Sequence, residues 1–276
     1  MVHPSGIRRA SGSPGIAPGC FPVVAAVLML AGGAAVAAPA GRVDSLSVVV
    51  DKADSGTGPW MRGVCSEAME RIEKFFGMPY FRGVRVRVFP DRAALTAYWR
   101  SAWGVPDLQP ECWQVASGTS SLLAILSPRT WKEEACEHDP ADSAATALLV
   151  AHELVHVFHA QRSASPEFDG MDEIAWLVEG LATYASGQLE RAHAKDARAA
   201  VDGGVEPTLL AKAWSGRYRY GVAGSLVRYI DVTYGRAMLR ALLPATTREE
   251  VLRALGIGES TLLERWRAWV RSEGGG

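Results

Sequence analysis

The chain has almost no net charge: 29 Lys and Arg stand against 30 Asp and Glu, a formal −1 at pH 7. No strong electrostatic attraction to nucleic acid or to anionic lipid is therefore expected. The short basic clusters near Arg82–Arg87 and Arg217–Arg219 read as solvated strand and loop faces. Cysteine is scarce as well. Four cysteines with no C-x-x-C between them speak against a cysteine-based metal site. Cys136 and His138 lie close together but have no partner at a zinc-finger spacing. No internal repeat and no Pro-rich linker divides the sequence, and beyond residue 40 no hydrophobic run long enough to span a membrane occurs.

The one such run is N-terminal. Arg8 and Arg9 precede an uncharged stretch, Phe21 to Ala40, rich in Ala, Val and Leu. Small residues at Ala35, Ala37, Ala38 and Ala40 resemble a signal-peptidase site. Pro39 disfavours cleavage after Ala38, which leaves Ala37 or Ala40. Residues 1–40 thus read as a signal peptide, or as an N-terminal membrane anchor if they stay uncleaved. Cys20 precedes the apolar run, which does not fit a lipoprotein. Export is the common element, with a periplasmic or secreted location expected. The remaining 41–276, roughly 236 residues, suffice for one large domain or for two lobes around a cleft. Of the three cysteines left, Cys112 and Cys136 flank a predicted strand pair and are the expected disulfide. Cys65 is expected to pack inside an amphipathic helix.

Periodicity orders the elements. Alternation over Val43–Val50 and over Val84–Phe89 predicts strands. Met61, Val64, Cys65, Met69, Ile72 and Phe76 recur at helical intervals, so Pro59–Phe76 reads as a helix. Asp91 caps a second helix ending at Trp103. Trp113–Ala116 and Leu122–Leu126 read as short strands around a Gly118-Thr119 turn. From about Tyr220 the pattern is helical over Tyr220–Thr233, Arg236–Leu243, Arg248–Leu255 and Ser260–Arg271. The expected class is α+β: a small mixed sheet in a lobe of about residues 41–165, then a mostly helical lobe of about 166–276.

The centre of the chain carries the chemistry. His152-Glu153-Leu154-Val155-His156 reads H-E-x-x-H inside an apolar stretch from Ala144 to Phe158 that lacks Gly and Pro. On a helix, four residues turn about 400° and rise about 6 Å, so both imidazoles leave one face, one turn apart. Two imidazoles so placed grip one metal ion, while Glu153, offset by about 100°, sits beside it and is free to handle a water proton.

A third ligand has two candidates. His159 returns to a similar angle but lies about 10.5 Å along the axis from His152, too far for metal–nitrogen bonds of about 2.0–2.1 Å on a straight helix. The glycine turn of H-E-x-x-H-x-x-G-x-x-H, which solves that problem elsewhere, is missing here. His159 is therefore expected to be a supporting or surface residue. Glu179, in Trp176-Leu177-Val178-Glu179-Gly180-Leu181-Ala182, is the stronger candidate, because its apolar neighbours make an unpartnered carboxylate costly. The polar segment Ser163–Gly170 allows a fold-back. Asp172 is expected to cap a second helix starting near Glu173, and Gly180 to let the two helices approach closely at the ion.

His152-Glu153-x-x-His156 followed by Glu179-Gly180-x-Ala182 resembles the gluzincin pattern of the peptidase MA-like superfamily. The interval of 23 residues from His156 to Glu179 is a few residues longer than in its best-known members, which suggests a divergent one. The resemblance runs from about Val43 to Arg271, but only the two ligand segments are specific. It implies a zincin-like fold, one Zn²⁺ held by His152, His156 and Glu179, and hydrolysis of a peptide or protein substrate with Glu153 as general base. It also implies an oxyanion donor in the segment Tyr218–Val227, for which Tyr220 is the first choice and Tyr218 the second. In the family the sheet edge beside the zinc helix pairs with an extended substrate, a role that would fall near Leu122–Leu126, although that unbroken apolar run also suits an interior strand. The Gly-x-Met-Glu-Asn segment of the family's aminopeptidases is absent, which favours an endopeptidase. The competing class is a non-catalytic envelope protein that binds peptides on a retained scaffold.

Overall fold

The computed structural model describes residues 46–272. The reading of residues 1–40 as a signal peptide or anchor lies outside the described residues, as do residues 43–45 of the first predicted strand. Among the described residues no helix is long and apolar enough to cross a membrane.

Four strands, β1 (Leu46–Val49), β2 (Val84–Phe89), β3 (Ala116–Gly118) and β4 (Leu122–Leu126), make one mixed sheet in the order β1-β2-β4-β3. The first two pairings are parallel and β3–β4 is antiparallel. The first long helix, α1 (Thr57–Phe76), joins β1 to β2, and α2 (Arg92–Trp103) follows β2. Asp91 caps α2 as expected, its carboxylate accepting from Ala94 N at 2.8 Å. Alternation along β2 is clean: Val84, Val86 and Val88 are buried, Arg85 and Arg87 exposed. β4 does not alternate because it lies between two strands and is buried from Leu123 to Leu126. β3 begins three residues later than the sequence suggests. Trp113 and Gln114 are held in a turn instead, where Arg92 donates to the carbonyls of Cys112 (2.8 Å) and Gln114. The Cys112–Cys136 disulfide forms as expected, and Cys65 is a buried free thiol.

A short helix, α3 (Trp131–Glu134), precedes the motif helix α4 (Ser143–Ala160). Asp142 caps α4, accepting from Ala145 N at 2.8 Å. Register assigns the sheet's two faces. Gly118, Leu123, Val86 and Val48 stand side by side. A side chain at Gly118 would strike Glu153 O of α4 at 2.3 Å, so this face carries α4. Ser117 points the other way and accepts from Trp99 Nε1 at 2.8 Å, so α2 covers the opposite face. The helix α1 packs beside α4, where Tyr80, just past its end, donates to Leu154 O at 2.9 Å.

The remainder is helical: α5 (Ala175–Ala185), α6 (Gln188–Ala192), α7 (Asp196–Asp202), α8 (Arg219–Tyr234), α9 (Arg236–Leu242), α10 (Arg248–Leu255) and α11 (Glu259–Ser272). Asp172 is not the cap of α5. It opens a 3₁₀ turn, Asp172–Ile174, and α5 starts at Ala175 with no side-chain cap. The role expected of Gly180 also changes, because it serves the α5–α8 crossing rather than the approach to α4. A Cβ there would meet Ala223 O at 2.5 Å and Val227 Cγ2 at 2.8 Å, both on α8. Buried residues from the sheet half and the helical half merge into one contiguous core.

Candidate metal centre

The apolar composition of α4 buries it on nearly all sides from Leu149 to Ala160. His152 and His156 are therefore desolvated where they meet α5, and Glu179 projects from that helix toward them. All three are buried and could together hold a metal ion. His152 Nε2 and His156 Nε2 are 3.1 Å apart, and Glu179 Oε2 lies 3.3 Å from the first and 3.6 Å from the second. Three ligands about 2.0–2.1 Å from a tetrahedral centre stand about 3.3–3.4 Å from one another. The observed triangle has those dimensions without any adjustment of the backbone.

The surroundings prepare the ligand atoms. His152 Nδ1 is 2.7 Å from Gln188 Oε1 at the start of α6. Gln188 Oε1 can only accept, so the proton sits on Nδ1 and the Nε2 lone pair faces Glu179. Burial lowers the His152 pKa to about 4, so the ring is neutral at pH 7. Burial would raise the Glu179 carboxyl, yet the two imidazoles hold it well below the usual carboxylate range. Burial pushes His156 down, but there the charges of Glu179 and Glu153 overcome it and lift the imidazole above its ordinary value.

Glu153 is fully buried, and neither carboxylate oxygen has a hydrogen-bond partner at strict geometry among the described residues. The peptide N–H of Gly118 points at it and favours the charged form. Burial raises its pKa to about 7, against which His156 pulls down. An acid–base group of this kind is half-charged near neutrality, the range in which proton transfer is most effective.

His159 is not part of the group. It is buried rather than at the surface, one turn beyond the site, and its Nε2 donates to Leu243 O at 3.1 Å. Tyr220 reaches the site from α8, its ring centroid 6.3 Å from that of His152. Burial, reinforced by Glu179, raises its hydroxyl above the ordinary tyrosine range, so it remains a donor. Tyr218 makes its contacts elsewhere, under the guanidinium of Arg217 at 4.4 Å.

Sequence reading missed the residues that hold Tyr220. His193 stacks on its ring at 5.1 Å and pairs with Asp196 at 2.9 Å, and Trp214 meets the ring edge-on at 4.7 Å. The one local signal was Gly221, where a Cβ would lie 2.2 Å from Asp196 Cβ, so glycine admits α7 against α8. Gln188 left no signal at all, since its contact with His152 spans 36 residues. No family model, curated protein or solved structure matches the chain.

Proposed function

We propose that this chain is an exported zinc-dependent metallohydrolase of gluzincin type, acting on peptides or proteins. The observation that carries the reading is the triangle of His152, His156 and Glu179, whose edges of 3.1, 3.3 and 3.6 Å suit a tetrahedral ion. A His₂Glu donor set with an open position favours zinc over harder or softer ions. When bound, the ion supplies Lewis acidity, which acidifies water and polarises a carbonyl.

The chain's own residues do the rest. Glu153 takes a proton from the attacking water and returns it to the leaving nitrogen. The lack of a side-chain partner among the described residues suits that traffic, because only the Gly118 N–H competes for the carboxylate. Tyr220, held protonated, donates toward the oxygen that becomes negative, an interaction worth about 2.7–4 kcal/mol where such donors have been removed. The expected substrate edge at Leu122–Leu126 does not hold, since β4 lies inside the sheet. An extended peptide would instead add to β3, the outer strand that packs on α4. That strand, Ala116–Gly118, carries no acid to bind a free amine, which supports an endopeptidase over an aminopeptidase.

The test is elemental analysis combined with turnover on unstructured proteins. Wild-type protein should hold one zinc per chain and cleave. Glu153→Gln should keep the zinc and lose at least about 100-fold in rate. His152→Ala and Glu179→Ala should lose both. Zinc-loaded wild type that cuts no peptide under any condition would rule out the peptidase reading.

A further inference from the structure

Most half-buried arginines of this protein have their donors occupied. Arg236 is held by Asp231, Arg92 by the carbonyls of Cys112, Gln114 and Glu134, and Arg162 by those of Phe158 and Pro79. Arg219 is different. It stands at the first position of α8, one residue before Tyr220. Its Nε is buried and has no hydrogen-bond partner among the described residues, and no carboxylate there forms an ion pair with it.

Three aromatic rings, and the hydroxyl of one of them, hold this cation instead. Its guanidinium carbon is 5.4 Å from the ring centre of Trp113, 5.6 Å from Trp214 and 5.3 Å from Tyr220. Each is inside the reach of about 6 Å over which a ring attracts a cation. One guanidinium N–H is spent on the Tyr220 hydroxyl, while the ring contacts fix the group without consuming its other donors. The enclosure is rigid, because Trp113 sits in the turn locked by the Cys112–Cys136 disulfide, with His138 Nε2 on its carbonyl at 2.8 Å. Trp113 comes from the sheet half and Trp214 from the helical half, so the cation lies where the halves meet. Tyr220 is shared: one residue touches both Arg219 and the surroundings of His152.

A permanently charged, planar fork of donors, held in place with no acid paired to it among the described residues, matches a carboxylate. We propose that Arg219, walled by Trp113 and Trp214, is a carboxylate-binding subsite beside the metal centre. It selects substrates that bring an acidic group there, either a free C-terminus or an Asp or Glu side chain. The inference rests on the peptidase reading for placing a peptide in this cleft.

The test is calorimetric titration of zinc-loaded Glu153→Gln protein, in which probes persist, repeated after chelation. N-acetyl-Ala-Ala is compared with its C-terminal amide, and N-acetyl-Ala-Asp-amide with its Asn counterpart. At least one acid should bind roughly tenfold or more tightly than its neutral twin, and the pair that discriminates identifies the source. Arg219→Gln should abolish the preference, while Arg219→Lys should keep part of it. Acid and neutral probes of equal affinity, no acid binding at millimolar concentration, or a preference that survives Arg219→Gln because the metal alone takes the carboxylate, would each overturn the proposal. Failure of the peptidase reading appears elsewhere, as missing zinc or missing turnover, and leaves the acid-against-neutral comparison in chelated protein still readable.

Discussion

At the scale of single residues, the site is decided by which atoms are left without alternatives. Glu153 has no side-chain partner among the described residues, His152 has one nitrogen committed to Gln188, and Glu179 faces both imidazoles. The commitment of Nδ1 makes Gln188 a positioning residue for the His152 ring, and through it for any ion the group holds. Replacing it with Leu keeps the bulk near α6 but removes the acceptor. The His152 ring then becomes free to rotate and to change tautomer. Metal affinity should fall about 10–100-fold, the range seen when such supporting partners are lost. Competition with a chromogenic chelator measures it directly, and an unchanged affinity would mean that packing alone orients the ring. His152, Glu153 and His156 were legible in the sequence because helical spacing places them within one turn, and Glu179 because its apolar neighbours called for a partner. Gln188, His193 and Arg219 were not, because each becomes relevant only through a contact made across many residues.

At the scale of elements, glycines decide how closely the helices approach. The α5–α8 crossing passes through Gly180 on one side and Gly224 on the other, where a Cβ would touch Thr183 Cγ2 at 3.0 Å. Glu179 is the neighbour of Gly180, so the crossing sets the height of the third ligand above the imidazoles. Gly180→Ala places a methyl 2.5 Å from the Ala223 carbonyl oxygen, a backbone atom with no rotamer to change. The helices must separate, at a cost of about 1–3 kcal/mol. Urea denaturation should show that loss, and zinc affinity should fall with it. A variant equal to wild type in both would mean that α5 does not depend on this close approach. Elements with a strong pattern or a cap, such as α1, α2, β2 and α4, were legible within about two residues. The helices α6 and α7 were missed because five and seven residues are too few to show a period. β3 was misplaced because tertiary contacts to Arg92, rather than its own composition, set where the strand begins.

At the scale of the whole molecule, α4 is the axis around which both halves are built, and its last turn is tied to the C-terminal helices by His159. That ring is fully buried against Phe168 at 5.0 Å, with Nε2 spent on the Leu243 carbonyl and Nδ1 without a partner among the described residues. Burial lowers its pKa to about 3, and the nearby His156 and Arg162 push in the same direction. In the unfolded chain the same group titrates near 6.5. Between these values the unfolded state binds the extra proton and the native state does not, so stability falls as the pH falls. The contribution is complete above pH 6.5 and is lost progressively toward pH 3, at up to about 1.4 kcal/mol for each pH unit. His159→Gln places an amide near the position of Nε2, so it can still donate to Leu243, but it takes up no proton. Denaturation of metal-free protein from pH 7 to pH 4 isolates this effect from loss of the ion. The wild-type stability curve should fall more steeply than that of the variant over this interval. Parallel curves throughout would mean that the native fold admits a charged His159, and that the junction between α4 and the C-terminal helices is wetter than its packing indicates.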